Sequence, residues 1–270
     1  MKDIALQLAR EANGQELNTL REYLQNYILF LMQRVGMSGS LYFVGGTALR
    51  FLYRVRRYSE DLDFSAGTGW DSTRLPRFTK RLSGHLEKSG YTCTLKIKKT
   101  QAVQRIVLGF ADLLYDLGMS PRKGQKLNIH LEIDLNPPGG WKGAKTIVDL
   151  HQPVLILHYD LPSLYAGKLH ALLMRPYTKG RDVFDLFWYL GKQPHLLPNF
   201  PMLNNAIQQT HPGYKTITKE NWLELLKEKM EALNWKTVEN DVLPFLEYQA
   251  DALSFTQENL LLLLVGRKKE

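Results

Sequence analysis

Apolar residues recur at helical spacing across residues 15–35, where Leu17, Leu20, Leu24, Tyr27, Ile28 and Leu31 fall on one face. Residues 3–12 also read as a helix. A short apolar run, Leu41 to Val44, predicts a strand that runs into Gly45-Gly46, and Thr47 to Arg54 reads as a helix. Asp61 to Phe64 predicts a second strand. Residues 73–89 read as a helix that stops at Gly90, a residue suited to the left-handed turn that ends helices. Alternation then takes over, and Thr92 to Lys98 and Val103 to Phe110 predict strands. The clearest strand covers Leu127 to Leu135. Leu127, Ile129, Leu131 and Ile133 face one way, and Asn128, His130, Glu132 and Asp134 the other. Strand-like pieces follow at 145–149 and 153–158. Past Pro162 helical spacing returns, over 163–174, 182–191, 199–209, 218–232, 237–248 and 255–265.

This order predicts a mixed α/β part over residues 1–160, a short mixed sheet flanked by helices, followed by an all-helical part over 161–270. With 44% hydrophobic and 23% charged residues, the chain has enough apolar material for a packed core. Cys93 is the single cysteine, which excludes an internal disulfide and a cysteine-rich zinc site. Met1 to Gly14 lacks the apolar stretch of a secretion signal, and the late run Leu260 to Val265 is far shorter than the ~20 residues needed to span a bilayer. These features point to a cytoplasmic protein with no membrane partner.

Charge changes the picture. The net charge is +8, and the stretch from Arg50 to Lys126 holds 16 Lys and Arg against 7 Asp and Glu. A surplus so localised suits a polyanion. Arg50, Arg54, Arg56 and Arg57 read either as an exposed helix end and loop or as contacts to phosphates. Lys96, Lys98 and Lys99 read as a solvated hairpin.

The candidate chemistry lies in Val44-Gly45-Gly46-Thr47-Ala48-Leu49 and Ser59-Glu60-Asp61-Leu62-Asp63-Phe64. Two glycines at a strand-to-helix turn let backbone approach a phosphate, and the helix start presents free N–H groups and the positive end of a dipole. Asp61 and Asp63, two apart on a strand, project from one face while Leu62 and Phe64 face the core. Adjacent carboxylates with no intervening base repel unless a cation sits between them, and Mg²⁺ suits carboxylate oxygens together with substrate phosphates. Further on, Lys168, Ala171, Leu172 and Arg175 are spaced to share one helix face, with Ser163 a candidate cap.

The glycine pair and the Asp-x-Asp strand resemble the signature of the polymerase-β-like nucleotidyltransferase superfamily. Lys168-Leu169-His170-Ala171-Leu172-Leu173-Met174-Arg175 and Arg181-Asp182-Val183-Phe184-Asp185-Leu186 extend the likeness. Together, the four elements resemble the AbiEii/AbiGii-type nucleotidyltransferase toxins, the group that includes the MenT toxins. The resemblance implies a nucleotidyltransferase core completed by a helical part, with the active site in the cleft between them. It implies that Gly45, Gly46, Thr47 and Ser59 lie at the nucleotide, that Asp61 and Asp63 bind Mg²⁺ (or Mn²⁺), and that a third carboxylate joins them, Glu132 in preference to Asp134, which lies near the strand end. Lys168 would contact the nucleotide phosphates with Arg175 assisting or bracing it, and Asp182 or Asp185 would be the functional acid of the last element. The implied reaction moves a nucleoside monophosphate from an NTP to an acceptor hydroxyl, an RNA (tRNA) 3′ end above all, within a toxin–antitoxin or phage-abortive system that supplies a cognate antitoxin. The alternatives are a small-molecule or protein acceptor, or a non-catalytic module that binds RNA or an antitoxin.

Overall fold

The computed structural model describes residues 1–267. The chain is mixed α/β and divides into two compact units. The first comprises Met1–Leu52, Tyr58–Asn136 and Ala144–His158; the second comprises Tyr53–Arg57, Pro137–Gly143 and everything from Tyr159 onward.

In the first unit α1 (Lys2–Glu11) and α2 (Glu16–Arg34) pack as a pair. β1 (Leu41–Val44) leads directly into α3 (Gly45–Tyr53), which starts two residues before the helix expected at Thr47. β2 (Leu62–Ala66), α4 (Leu75–Lys88), β3 (Cys93–Lys99) and β4 (Val103–Phe110) follow. A short helix that periodicity does not reveal, α5 (Leu113–Asp116), precedes β5 (Leu127–Asp134), β6 (Gly143–Asp149) and β7 (Pro153–Tyr159). Among the described residues, seven strands form one sheet in the order β3-β4-β5-β2-β1-β7-β6. β2 runs antiparallel to β1 and parallel to β5; β4 is antiparallel to both β5 and β3; β1 and β7 are parallel.

One sheet face is the core. Leu41, Phe43, Leu62, Phe64, Ile106, Leu108, Ile129, Leu131 and Ile133 are all nearly or fully removed from water. α2 and α4 pack together, and α4 packs against β3. At ~25 cal/mol per Å², burying these rows is the main stabilising term of the unit. The period of two then sends the alternate residues of β2 and β5, including Asp63, Glu132 and Asp134, to the opposite face.

The second unit is helical: α6 (Leu161–Met174), α7 (Gly180–Lys192), α8 (Phe200–Thr210), α9 (Trp222–Glu231), α10 (Trp235–Val242), α11 (Asp251–Ser254) and α12 (Gln257–Arg267). α6 is central, packing on α7, α8 and α9, and is apolar around most of its circumference. Its cap is Asp160, whose carboxylate accepts from the Ser163 N–H at 2.9 Å. The structure thereby corrects the expectation that Ser163 caps the helix: Ser163 lies one turn inside it and is buried. The helix expected over 237–248 ends at Val242, because Pro244 has no N–H to continue it and a 3₁₀ turn takes over. Among the described residues no helix is long and apolar enough to cross a membrane.

Candidate active site

β1 ends where Gly45 adopts φ +78°, a region a side chain disfavours. A Cβ built on Gly45 would lie 2.5 Å from Oδ2 of Asp63, so the bend is closed against that carboxylate and a side chain there would displace it. Gly45, Gly46 and Thr47 form the first turn of α3. Helix starts leave their first N–H groups without intrahelical partners, and the dipole favours anions there. Thr47 is fully buried, and its hydroxyl donates to the carbonyl of Asp61. The Thr47 side chain thereby pins the backbone of the first aspartate. The Gln25 amide donates to the Ser59 carbonyl at 3.1 Å, fixing the same segment two residues earlier.

Strand register brings the acids level. Val44 pairs with Asp63 across the antiparallel β1–β2 ladder, and Asp63 pairs with Glu132 across the parallel β2–β5 ladder. Partners in a ladder share a face, so Asp63 and Glu132 stand side by side. Asp61 precedes β2 by one residue. Its Oδ1 lies 3.5 Å from Nδ1 of His130, and its side chain is 45% exposed. Glu132 receives Arg105 at 2.6 Å. Asp134 is level with Ser65 instead, and it accepts the N–H of Asn136 at 2.9 Å, tying the turn that leaves β5. Burial pushes the Asp134 carboxyl up, opposed by that hydrogen bond. Of the two candidates for a third acid, Glu132 is the neighbour of Asp63.

Among the described residues, no group of three or more His, Cys, Asp and Glu side chains is gathered closely enough to hold a metal by itself. The donor set still suits a magnesium ion. Mg²⁺ is commonly held by one or two carboxylates, with water and substrate phosphates filling the remaining positions. Asp61 and Asp63 are hard oxygen donors at the rim of a glycine bend, which is that kind of partial site.

The other predicted residues form a network within the second unit. Lys168 Nζ lies 2.7 Å from Asp182 and 2.7 Å from Asp185. Arg175 reaches Asp182 at 2.7 Å, and Arg57 grips Asp185 with two bonds of 2.7 and 2.5 Å. Burial works against the Lys168 charge, but Asp182 and Asp185 outweigh it and hold the ammonium above its usual range. Burial would raise Asp182 too, yet Lys168, then Arg175 and Arg57, bring it down to about 2. Three cations face two carboxylates, leaving one positive charge in excess. Arg175 sits just past α6 in extended conformation, so it does not continue the helix face read from Lys168.

Of the four arginines read either as an exposed helix end and loop or as phosphate contacts, Arg50 and Arg57 are buried in ion pairs. Arg57 is 2% exposed and bound to Asp185, and Arg50 is buried against Glu22 at 2.6 Å with Tyr58 beneath its guanidinium. Arg54 and Arg56 are exposed, Arg56 lying over Tyr248. Gln25, Arg105 and His130 also stand at the site. Their places depend on tertiary packing and strand register, which no local spacing announces.

A glycine bend that opens a helix and closes on an Asp-x-Asp strand, with an acid level on the adjoining parallel strand, defines a nucleotidyltransferase core. The family model described as "Nucleotidyl transferase AbiEii toxin, Type IV TA system" matches residues 27–256, and the chain belongs to that family. It is similar in fold to MenT4, a nucleotidyltransferase toxin from Mycobacterium tuberculosis H37Rv, with TM-score 0.61 and 15% identity over 98% of this chain and 89% of that one. It is also similar to JHP933 from Helicobacter pylori, with TM-score 0.55 and 17% identity over 93% and 92%. A second structure from H. pylori gives TM-score 0.51 and 17% identity over 90% and 94%. No curated protein matches the chain.

Proposed function

We propose that this nucleotidyltransferase moves a nucleoside monophosphate from an NTP to the 3′ hydroxyl of an RNA, tRNA in particular, and that it acts in the cytoplasm as a toxin held in check by a cognate antitoxin. The observation that carries the reading is the closure of Gly45 on Asp63, which joins the phosphate-binding turn to the carboxylate in one piece. In the reaction the acceptor oxygen bonds to the α-phosphorus, the bond from that phosphorus to the bridging oxygen breaks, and pyrophosphate leaves. The acceptor proton passes to Glu132 or to water.

The residues have separable duties. The first N–H groups of α3 receive phosphate oxygens. Asp61 and Asp63 would hold Mg²⁺ (or Mn²⁺), while Glu132, level with Asp63, is paired with Arg105. The ion supplies Lewis acidity to the phosphoryl oxygens and lowers the pKa of the attacking hydroxyl. Thr47 and Gln25 hold the Ser59–Asp61 segment in place. For Lys168, the excess positive charge of its network supports the phosphate-facing role implied by the resemblance, with Asp182 and Asp185 orienting its ammonium.

The test is incubation with each labelled NTP and total cellular RNA in Mg²⁺, with the Asp63→Asn variant as control. Label on RNA in the wild type alone is the expected result. Label on protein or a small molecule would move the acceptor assignment elsewhere, and no label with any NTP would leave a binding module.

A further inference from the structure

On the face that carries Asp63, each cross-strand row is set by register. Reading across one row, Asp63 is level with Glu132, Glu132 with Arg105, and Arg105 with Lys98. In the next row His130 is level with Val107 and Val107 with Lys96, while Asp61 lies beside His130. The face is thus acidic at β2 and basic at β3. Lys96 and Lys98 are both exposed, and among the described residues neither has an ion-pair partner. Strands stand ~4.8 Å apart, so Lys98 lies about 14 Å from Asp63 across three strand spacings.

A third lysine joins the other two by a built device. Lys126, just before β5, crosses the face to donate to Thr94 Oγ1 on β3 at 3.0 Å. It passes over Gly109, where a Cβ would come 3.0 Å from Lys126 Cδ and 3.2 Å from Thr94 Oγ1. Glycine at that point of β4 keeps the crossing open. Lys126, Lys96 and Lys98 therefore mark successive levels of one strand, about 6.5 Å apart. That is a repeat comparable to successive phosphates on an extended polynucleotide. Edge strands often carry lysines that discourage pairing with other chains. That duty does not call for a glycine-gated third cation on the same face as the acids.

We infer that Lys126, Lys96 and Lys98 form a track for the phosphate backbone of the acceptor RNA, with Arg105 at its inner end, delivering the 3′ terminus toward Asp61 and Asp63. The inference deepens the transferase reading and rests on it for the direction of the strand. Arg105 belongs to both groups: paired with Glu132, it separates the acid cluster from the track and offers its free donors to an arriving phosphate.

The experiment is fluorescence anisotropy with a labelled single-stranded RNA oligonucleotide at stepped KCl, using the full chain and the double variant Lys96→Gln/Lys98→Gln. Single-strand contacts contribute ~0.7 each to the salt slope, so the slope should fall by about 1.4 and affinity at 0.1 M salt by about 10–30-fold. Lys96→Arg/Lys98→Arg should retain wild-type binding. Unchanged affinity and slope in the glutamine variant, with matched thermal melting, would overturn the track. Equal weakening toward polyglutamate would indicate an acidic protein partner and overturn the assignment to RNA. Calorimetry with NTP and Mg²⁺ separates the two readings. Loss of the RNA slope in a chain that binds no NTP refutes the transferase and keeps the track; wild-type RNA labelling by the glutamine variant does the reverse.

Discussion

Gly45 and Asp63 share a space that holds one side chain and no more: a methyl on the glycine would sit 2.5 Å from the carboxylate oxygen. Gly45→Ala therefore has two costs, a left-handed backbone that alanine resists and a displaced acid. It is expected to lower stability by about 1–3 kcal/mol and to weaken NTP binding. Thermal melting and calorimetry on the one variant check both, and a variant with wild-type NTP affinity would separate the bend from the site.

Asp63→Asn keeps shape and removes charge. Transfer to RNA should drop below detection while the melting temperature stays within a few degrees. Asp61→Ala should behave alike. If expression of the wild type arrests growth, both variants should relieve the arrest.

Arg57→Met tests the buried network. Arg57 grips Asp185 where neither side chain meets water, so its removal exposes a buried carboxylate to weaker pairing. Breaking a buried pair from one side costs about 3–5 kcal/mol. Lys168 still holds Asp185, which places the expectation near 3 kcal/mol in urea melts. Arg57→Met/Asp185→Leu should recover part of the loss.

Acid should loosen the same network. The Asp182 carboxyl sits at about 2 when folded, against an ordinary value of 3.8. A depressed carboxyl stabilises the fold above the unfolded value, and that stabilisation is lost as pH falls from about 4 toward 2. The difference amounts to about 2 kcal/mol. Asp182→Asn should flatten the stability profile over that window, which denaturation at stepped pH will show.

Much of the fold was legible because its signals are local. β5 alternates apolar and polar residues, and the Asp-x-Asp strand places its hydrophobic neighbours in the core. Helix starts were less legible. Nothing in Gly45-Gly46 alone says that α3 begins on the first glycine. The place of Asp134 near the strand end already favours Glu132 in the sequence; the parallel register with β2 then puts Glu132 level with Asp63. Arg57 misled because a run of arginines looks solvated until Asp185, contributed by a distant helix, is placed against it.

The parallel ladder between β2 and β5 has a consequence for how such a chain is made. Parallel neighbours require a long crossover, and here it contains α4 and the whole β3–β4 hairpin. A ribosome must therefore release all of that segment before Glu132 meets Asp63. A chain ending short of β5 lacks the acid that stands beside Asp63, so the acid pair exists only once β5 has been made and paired.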